Sequence, residues 1–327
     1  GSGFGSERAA ALSAAAPGAR VGCDAVGRQA VPGPVLLVAN KRENTLSFVD
    51  ARTREELGRV PTGRSPHEVA VTPDGRWAFV ANYAEASLTV VDVRAMRVDG
   101  RVELAPHDRP HGILVTPDGS TVWVTAEGSR HVVAVDVGTR RVVRAVPTGQ
   151  EGTHMLALAP DREKLYVSNT GAGTVTVIDL RSDSVLGHVP TGAGAEGIAV
   201  TPDGRWVLVT NREEGTLSVL DAETDRVVHT ARIAEFPIRV EVVPDGTRAL
   251  VSDLRADEVL EVEVGTWAVR RRLAVGRAPV GIEIAPDGRR AYVALAGEDR
   301  VVEADLAAWT RAAVIATGDE PDGMAYA

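Results

Sequence analysis

Short apolar runs separated by turns of the Pro-Asp-Gly kind, Pro-Asp-Arg at Pro160, recur along this chain. The turn prolines stand at Pro73, Pro117, Pro160, Pro202, Pro244 and Pro286, a spacing of 42 to 44 residues. One unit reads as an apolar run (GIAV, 197–200), the turn TPDG, and a second run (RWVLVTN, 205–211). A polar loop, a third run (TLSVLDAET, 216–224) and a fourth (RVVHTARI, 226–233) complete it. The pattern predicts four strands, a to d, with proline presetting φ and Asp-Gly making the reversal between a and b. A second glycine, in VPTG at Gly63, Gly149 and Gly192, marks the passage from strand d to the next unit. A four-stranded unit of this period is the pattern of a β-propeller blade.

The ends of the chain decide the blade count. Six complete units run from Arg64 to Gly318, while 35–60 holds strands b, c and d with no strand a. The tail EPDGMAYA (320–327) matches the beginning of strand a and then stops. The expectation is an all-β, seven-bladed β-propeller over 35–327, its ring closed by the C-terminal strand a pairing with the N-terminal strands b–d. Residues 1–34 are expected to be a flexible leader: GSGFGS reads as a cloning remnant, and the Ala/Gly-rich stretch after it has no strand pattern.

Composition and charge narrow the function classes. Hydrophobic residues make up 44%, enough for a core, and a net charge of −9 with interspersed signs offers no basic stripe for nucleic acid. No apolar run is long enough to span a membrane. Cys23 is the single cysteine, which excludes an internal disulfide and a thiolate metal cluster. The motifs YVSN (166–169), VLVTN (207–211), FVAN (79–82) and LVAN (37–40), coupled to TPDG and VPTG, resemble the YVTN family of β-propeller repeat proteins. That resemblance implies the fold over about 35–327, and with the leader it points to an extracytoplasmic protein, the alternative being a cytoplasmic one; separately, a monomer is expected.

Strands alternate in direction within a blade, so the start of strand a and the end of strand b share one face near the central channel. Around the ring the first position reads His67, His111, His154, Glu196, Arg239, Val280 and Asp322. Three consecutive blades thus offer histidine where the fold does not demand it, out of seven histidines in the chain. Neutral imidazoles with a carboxylate suit a divalent transition metal (Zn, Fe, Cu, Mn or Ni) with open positions for substrate. His67, His111, His154 and Glu196 are therefore the expected ligands. The strand b ends read Asn40, Asn82, Ala126, Asn169, Asn211, Asp253 and Leu295, a set expected to serve the fold. One residue further on, Tyr83 and Glu127 could reach a bound substrate and move a proton, and Arg239 could clamp an anion or pair with Asp322. His107 could approach the site, whereas His131, His188 and His229 read as surface residues.

PHG (110–112) and VWVTAEGSR (122–130) also resemble the matching elements of the streptogramin B lyase family. That resemblance implies a metal at the channel mouth, with His67, His111, His154 and Glu127 as matching positions. The functional expectation is a metal-dependent enzyme, a lyase, hydrolase or oxygen-using type, acting on a small molecule at the mouth. The alternative is a non-catalytic binding or cell-surface propeller. No Ser-His-Asp arrangement, phosphate loop or dinucleotide fingerprint appears.

Overall fold

The TPDG turn forms as its residues require. Thr72 Oγ1 donates to Asp74 Oδ1 at 2.6 Å, the Arg76 amide donates to the same oxygen at 3.0 Å, and Gly75 takes φ +67°. Thr116, Asp118 and Gly119 (φ +71°) and Thr201, Asp203 and Gly204 (φ +72°) repeat the device. Each such turn joins strand a to strand b on the face away from the channel mouth.

The computed structural model describes residues 33–161 and 163–327, so the expected leader and Cys23 fall almost wholly outside the described residues. Among the described residues, twenty-eight strands make seven four-stranded antiparallel sheets. We number the blades from the first complete unit: blade 1 (66–103), blade 2 (110–147), blade 3 (153–190), blade 4 (195–232), blade 5 (237–274) and blade 6 (279–316). Blade 7 joins the strand Pro321–Tyr326 to the strands Val35–Asn40, Thr45–Asp50 and Glu56–Pro61, the expected closure. Each inner strand a touches those of both neighbours, and the contacts run round the full ring.

Strands a to c are largely buried and strand d alternates between exposed and covered residues. The core lies between blades: Phe79 and Leu88 of blade 1 pack on Val122 and Val124 of blade 2, all fully buried. Such layers hold the inner strands rigid, which is what a site assembled from several blades needs.

A bulge interrupts strand a in every blade, just after the residue that pairs with the end of strand b. These partners are Pro66, Pro110, Thr153, Ala195, Pro237, Pro279 and Pro321. The next residues are His67, His111, His154, Glu196, Ile238, Val280 and Asp322. This corrects one member of the expected ring: blade 5 supplies Ile238, and Arg239 lies one position further down the channel. The constant six-residue distance to the turn proline, from His67 to Pro73 and from Ile238 to Pro244, is the spacing that sets this register.

Candidate functional site at the channel mouth

His67, His111 and His154 stand side by side. Ring centroids are 4.8 Å apart for His67 and His111, and 3.8 Å for His111 and His154, the latter tilted by 32°. Tyr83 closes the other side, 4.6 Å from the His67 ring and 5.8 Å from His111. Its hydroxyl is tied to Glu127 and to Arg109.

The three imidazoles are chemically unlike. His154 Nε2 donates to Glu196 Oε1 at 2.9 Å, and Glu127 Oε2 lies 3.5 Å from Nδ1, an ion-pair contact too long to be a good hydrogen bond. Burial favours the neutral ring of His154, but the Glu196 and Glu127 charges outweigh it and push the group up to about 9. Arg212 holds the second oxygen of Glu196 at 2.9 Å. Burial opposes ionisation of Glu196 and Glu127, yet His154 and the nearby arginines hold both carboxyls below their usual range. His111 is buried beside this cation, and burial first, then the His154 charge, keeps it neutral. Its Nδ1 has no hydrogen-bond partner among the described residues. His67 Nδ1 donates to the Ser65 carbonyl at 2.9 Å, which leaves Nε2 with a free lone pair, and burial holds the ring below its usual value.

Do these residues fit a metal? Two imidazoles on one ion, at Zn–N of about 2.0 to 2.1 Å, place their centroids about 4.5 to 5.2 Å apart. His67 and His111 meet that spacing. His111 and His154 partly stack instead, and His154 spends Nε2 on Glu196 while its Nδ1 faces Glu127. Among the described residues no group of three His, Cys, Asp or Glu side chains is placed to hold a metal ion. The expected set of His67, His111, His154 and Glu196 is thus brought together, but as a hydrogen-bonded and ion-paired cluster, and it does not fit a metal as it stands.

Beneath the mouth, the position after the ring is glycine in four blades: Gly112, Gly197, Gly281 and Gly323. A Cβ on Gly197 would sit 2.4 Å from the Ile238 carbonyl, and one on Gly281 2.1 Å from that of Asp322. The three blades without glycine carry Glu68, Met155 and Arg239, and these meet across the channel. Arg239 Nη2 donates to Glu68 Oε1, and Nη1 lies 3.2 Å from Met155 Sδ. Arg239 is therefore committed to Glu68 rather than to Asp322, which Lys41 holds at 3.3 Å. The channel cavity of about 300 Å³ below this floor is lined by Glu241 and Glu283, among others. Burial pushes Glu241 up to about 7 and Glu283, helped by the Glu241 charge, up to about 8.

Sequence reasoning missed Arg109, Glu68, Glu241 and Glu283. The departure from glycine at Glu68 was the legible signal; the carboxylates deeper in the channel had none. His107 does not join the mouth: its ring is 4.8 Å from that of His131.

Residues 35–266 match the family model described as Lactonase, 7-bladed beta-propeller. No curated protein matches the chain. Among solved structures, hydrazine synthase of Kuenenia stuttgartiensis is similar at 21% identity and TM-score 0.76, covering 84% of this chain and 92% of that one. The periplasmic gluconolactonase of Pseudomonas aeruginosa is similar at 20% identity and TM-score 0.74, covering 90% and 98%. A functionally unknown protein from Desulfotomaculum acetoxidans gives 13% and 0.78, covering 89% and 98%. At these identities the structural likeness speaks for the fold. Nothing in these comparisons points to streptogramin B lyase.

Proposed function

The chain belongs to the lactonase family of seven-bladed β-propellers, and from that premise we propose that it is a hydrolase that opens the cyclic ester of a small polar molecule at the channel mouth. One observation carries the reading: a neutral, tautomer-locked imidazole, His67, stands in the same cluster as the cationic His154. His67 Nε2 takes a proton from water as the water oxygen bonds the ester carbonyl carbon. Arg109 and the fixed His154 charge offset the negative charge that develops on the carbonyl oxygen. The ring C–O bond then breaks, and the leaving oxygen receives its proton from Tyr83, which is restored from His67 through solvent. Glu127 orients Tyr83, and Glu196 with Arg212 holds His154 in place.

The test is hydrolysis of a panel of five- and six-membered sugar lactones, gluconolactone among them, by wild type and by His67→Ala. The expected result is turnover of at least one lactone, with kcat reduced about 10²- to 10⁴-fold in the variant. Equal rates in both, or no turnover of any lactone by wild type, overturns the proposal.

A second reading keeps a divalent transition metal on His67 and His111, the pair whose ring spacing suits one ion. The buried, unpartnered Nδ1 of His111 favours it. Metal analysis of untagged protein separates the two: stoichiometric metal that disappears in His111→Ala would displace the general-base reading.

A further inference from the structure

The connection from strand d of blade 1 to strand a of blade 2, residues 104–109, is six residues long, against four or five at every other such join. It also lacks the VPTG-type glycine turn. The extra residues make a turn closed by the His107 amide donating to the Leu104 carbonyl at 2.9 Å, while the end of the loop lies on the turn 127–130 as the shorter joins lie on theirs. Gly128 N donates to the Asp108 carbonyl at 3.2 Å, and the Asp108 carboxylate lies 2.4 Å from where a Cβ on Gly128 would stand, so loop and turn are in close contact. This packing carries His107 to His131, the first residue of the strand His131–Asp136.

Ser129 sits between the two imidazoles and engages both. His131 Nδ1 donates to the Ser129 carbonyl at 2.6 Å, and His107 Nδ1 lies 3.3 Å from Ser129 Oγ. Ser129 Oγ gives its proton to the Ala126 carbonyl at 3.4 Å and so accepts from His107 Nδ1; with Nδ1 donating on each ring, both Nε2 lone pairs are left without a partner among the described residues. The centroids are 4.8 Å apart and the planes are tilted by 49°, within the separation two imidazoles take on one ion. An imidazole whose second nitrogen bonds a carbonyl or hydroxyl is the usual form of a histidine ligand. Both rings are half-buried, open to an ion from solution.

We propose that His107 and His131 form a two-imidazole site for a divalent cation of the copper, nickel or zinc class, with water completing the coordination. The ion ties the loop 104–109 to the start of the strand His131–Asp136, into which the turn 127–130 leads. Arg109 at the end of that loop and Glu127 at the start of that turn both belong to the mouth, so the site braces one rim of the candidate active site. The proposal stands apart from the lactone hydrolysis reading, because it uses neither His67 nor His154.

The test is titration of the untagged full chain with Cu²⁺ and Ni²⁺ by calorimetry, with electron paramagnetic resonance of the Cu²⁺ form. Expected are binding of one ion per chain and hyperfine splitting from two nitrogens. Binding is lost in His107→Ala and in His131→Ala, weakened about tenfold in Ser129→Ala, and retained in His111→Ala. Copper affinity exceeds that for nickel. Binding that persists in His131→Ala, or that disappears in His111→Ala alone, overturns the proposal, as does absence of binding in folded wild type.

Discussion

Two rings of residues circle the channel mouth, one residue from each blade, and they obey opposite rules. At the end of strand b, four of seven blades keep asparagine, and each makes the same pair of Nδ2 bonds. Asn40, Asn82, Asn169 and Asn211 donate through Nδ2 to hydroxyls five and seven residues on, for Asn82 to Ser87 and Thr89, both at 3.0 Å. Where asparagine is missing, the residue seven on is apolar: Val133, Leu260 and Val302 follow Ala126, Asp253 and Leu295. Donor and acceptors are present or absent together, as buried polar groups require. At the start of strand a nothing of the kind holds. His67, His111 and His154 make different bonds, and their protonation states differ. Uniformity marks a residue that serves the blade; neighbours of one type with unequal partners mark a site.

The sharpest way to break this contrast is to truncate one residue of each ring in blade 1. His67→Ala is expected to lower kcat on a hydrolysed lactone by about 10²- to 10⁴-fold while leaving the melting temperature within experimental scatter. The half-exposed ring makes one backbone bond, to Ser65, so little stability goes with it. Asn82→Ala should do the reverse. It strips partners from the buried Ser87 and Thr89 and from the Gly63 amide, at about 3 kcal/mol in urea unfolding, with kcat per folded molecule unchanged. Adding Ser87→Ala and Thr89→Val should recover only about a third of that loss, since it removes the two unpaired hydroxyls but takes from the Gly63 amide its second acceptor, Thr89 Oγ1. A triple variant no more stable than the single one would show that asparagine serves something other than the blade.

A second test lies below both rings. Glu241 and Glu283 hold protons up to about pH 7 and 8 in the folded chain, whereas the unfolded chain releases them near 4.5. The folded state therefore binds more protons across that interval, so stability falls as pH rises through it and levels off above about 8. His154, raised to about 9, adds a decline of the same sign above its ordinary 6.5. Glu283→Gln should flatten that part of the curve, by about 3 to 4 kcal/mol between pH 5 and pH 8. A variant with the wild-type slope would remove Glu283 as the cause.

Much of this was legible in the sequence because a repeat is its own alignment. The six-residue spacing to the turn proline fixes the ring, and the broken first and last units foretell the closure. Arg239 was misplaced by one because its charge suited the ring, while the spacing pointed to Ile238. The pairing of Glu68 with Arg239, 171 residues apart, needs the closed ring to bring blades 1 and 5 together across the channel. No local pattern encodes such a contact. The protonation of His154 was hidden for the same reason, since it depends on Glu127 and Glu196 from the two adjacent blades. His131 read as a surface residue because the loop that reaches it departs from the repeat.

The smallest expected effect comes from the face opposite the mouth, where repetition serves the backbone. Gly75 has φ +67°, and no atom lies within 4 Å of the place a methyl group would take there, so Gly75→Ala adds no clash. It keeps only the cost of a left-handed residue, about 1 kcal/mol. For a chain of this size that is a fall of about 2 °C in melting temperature, with kcat unchanged. Gly197→Ala offers the contrast within one residue type, because its Cβ would strike the Ile238 carbonyl at 2.4 Å on the channel side. The inner strands would then have to part, and activity should fall with stability. If the two variants behaved alike, the mouth would not depend on how closely blades 4 and 5 approach, and the rigidity assigned to the inner strands would have to be given up.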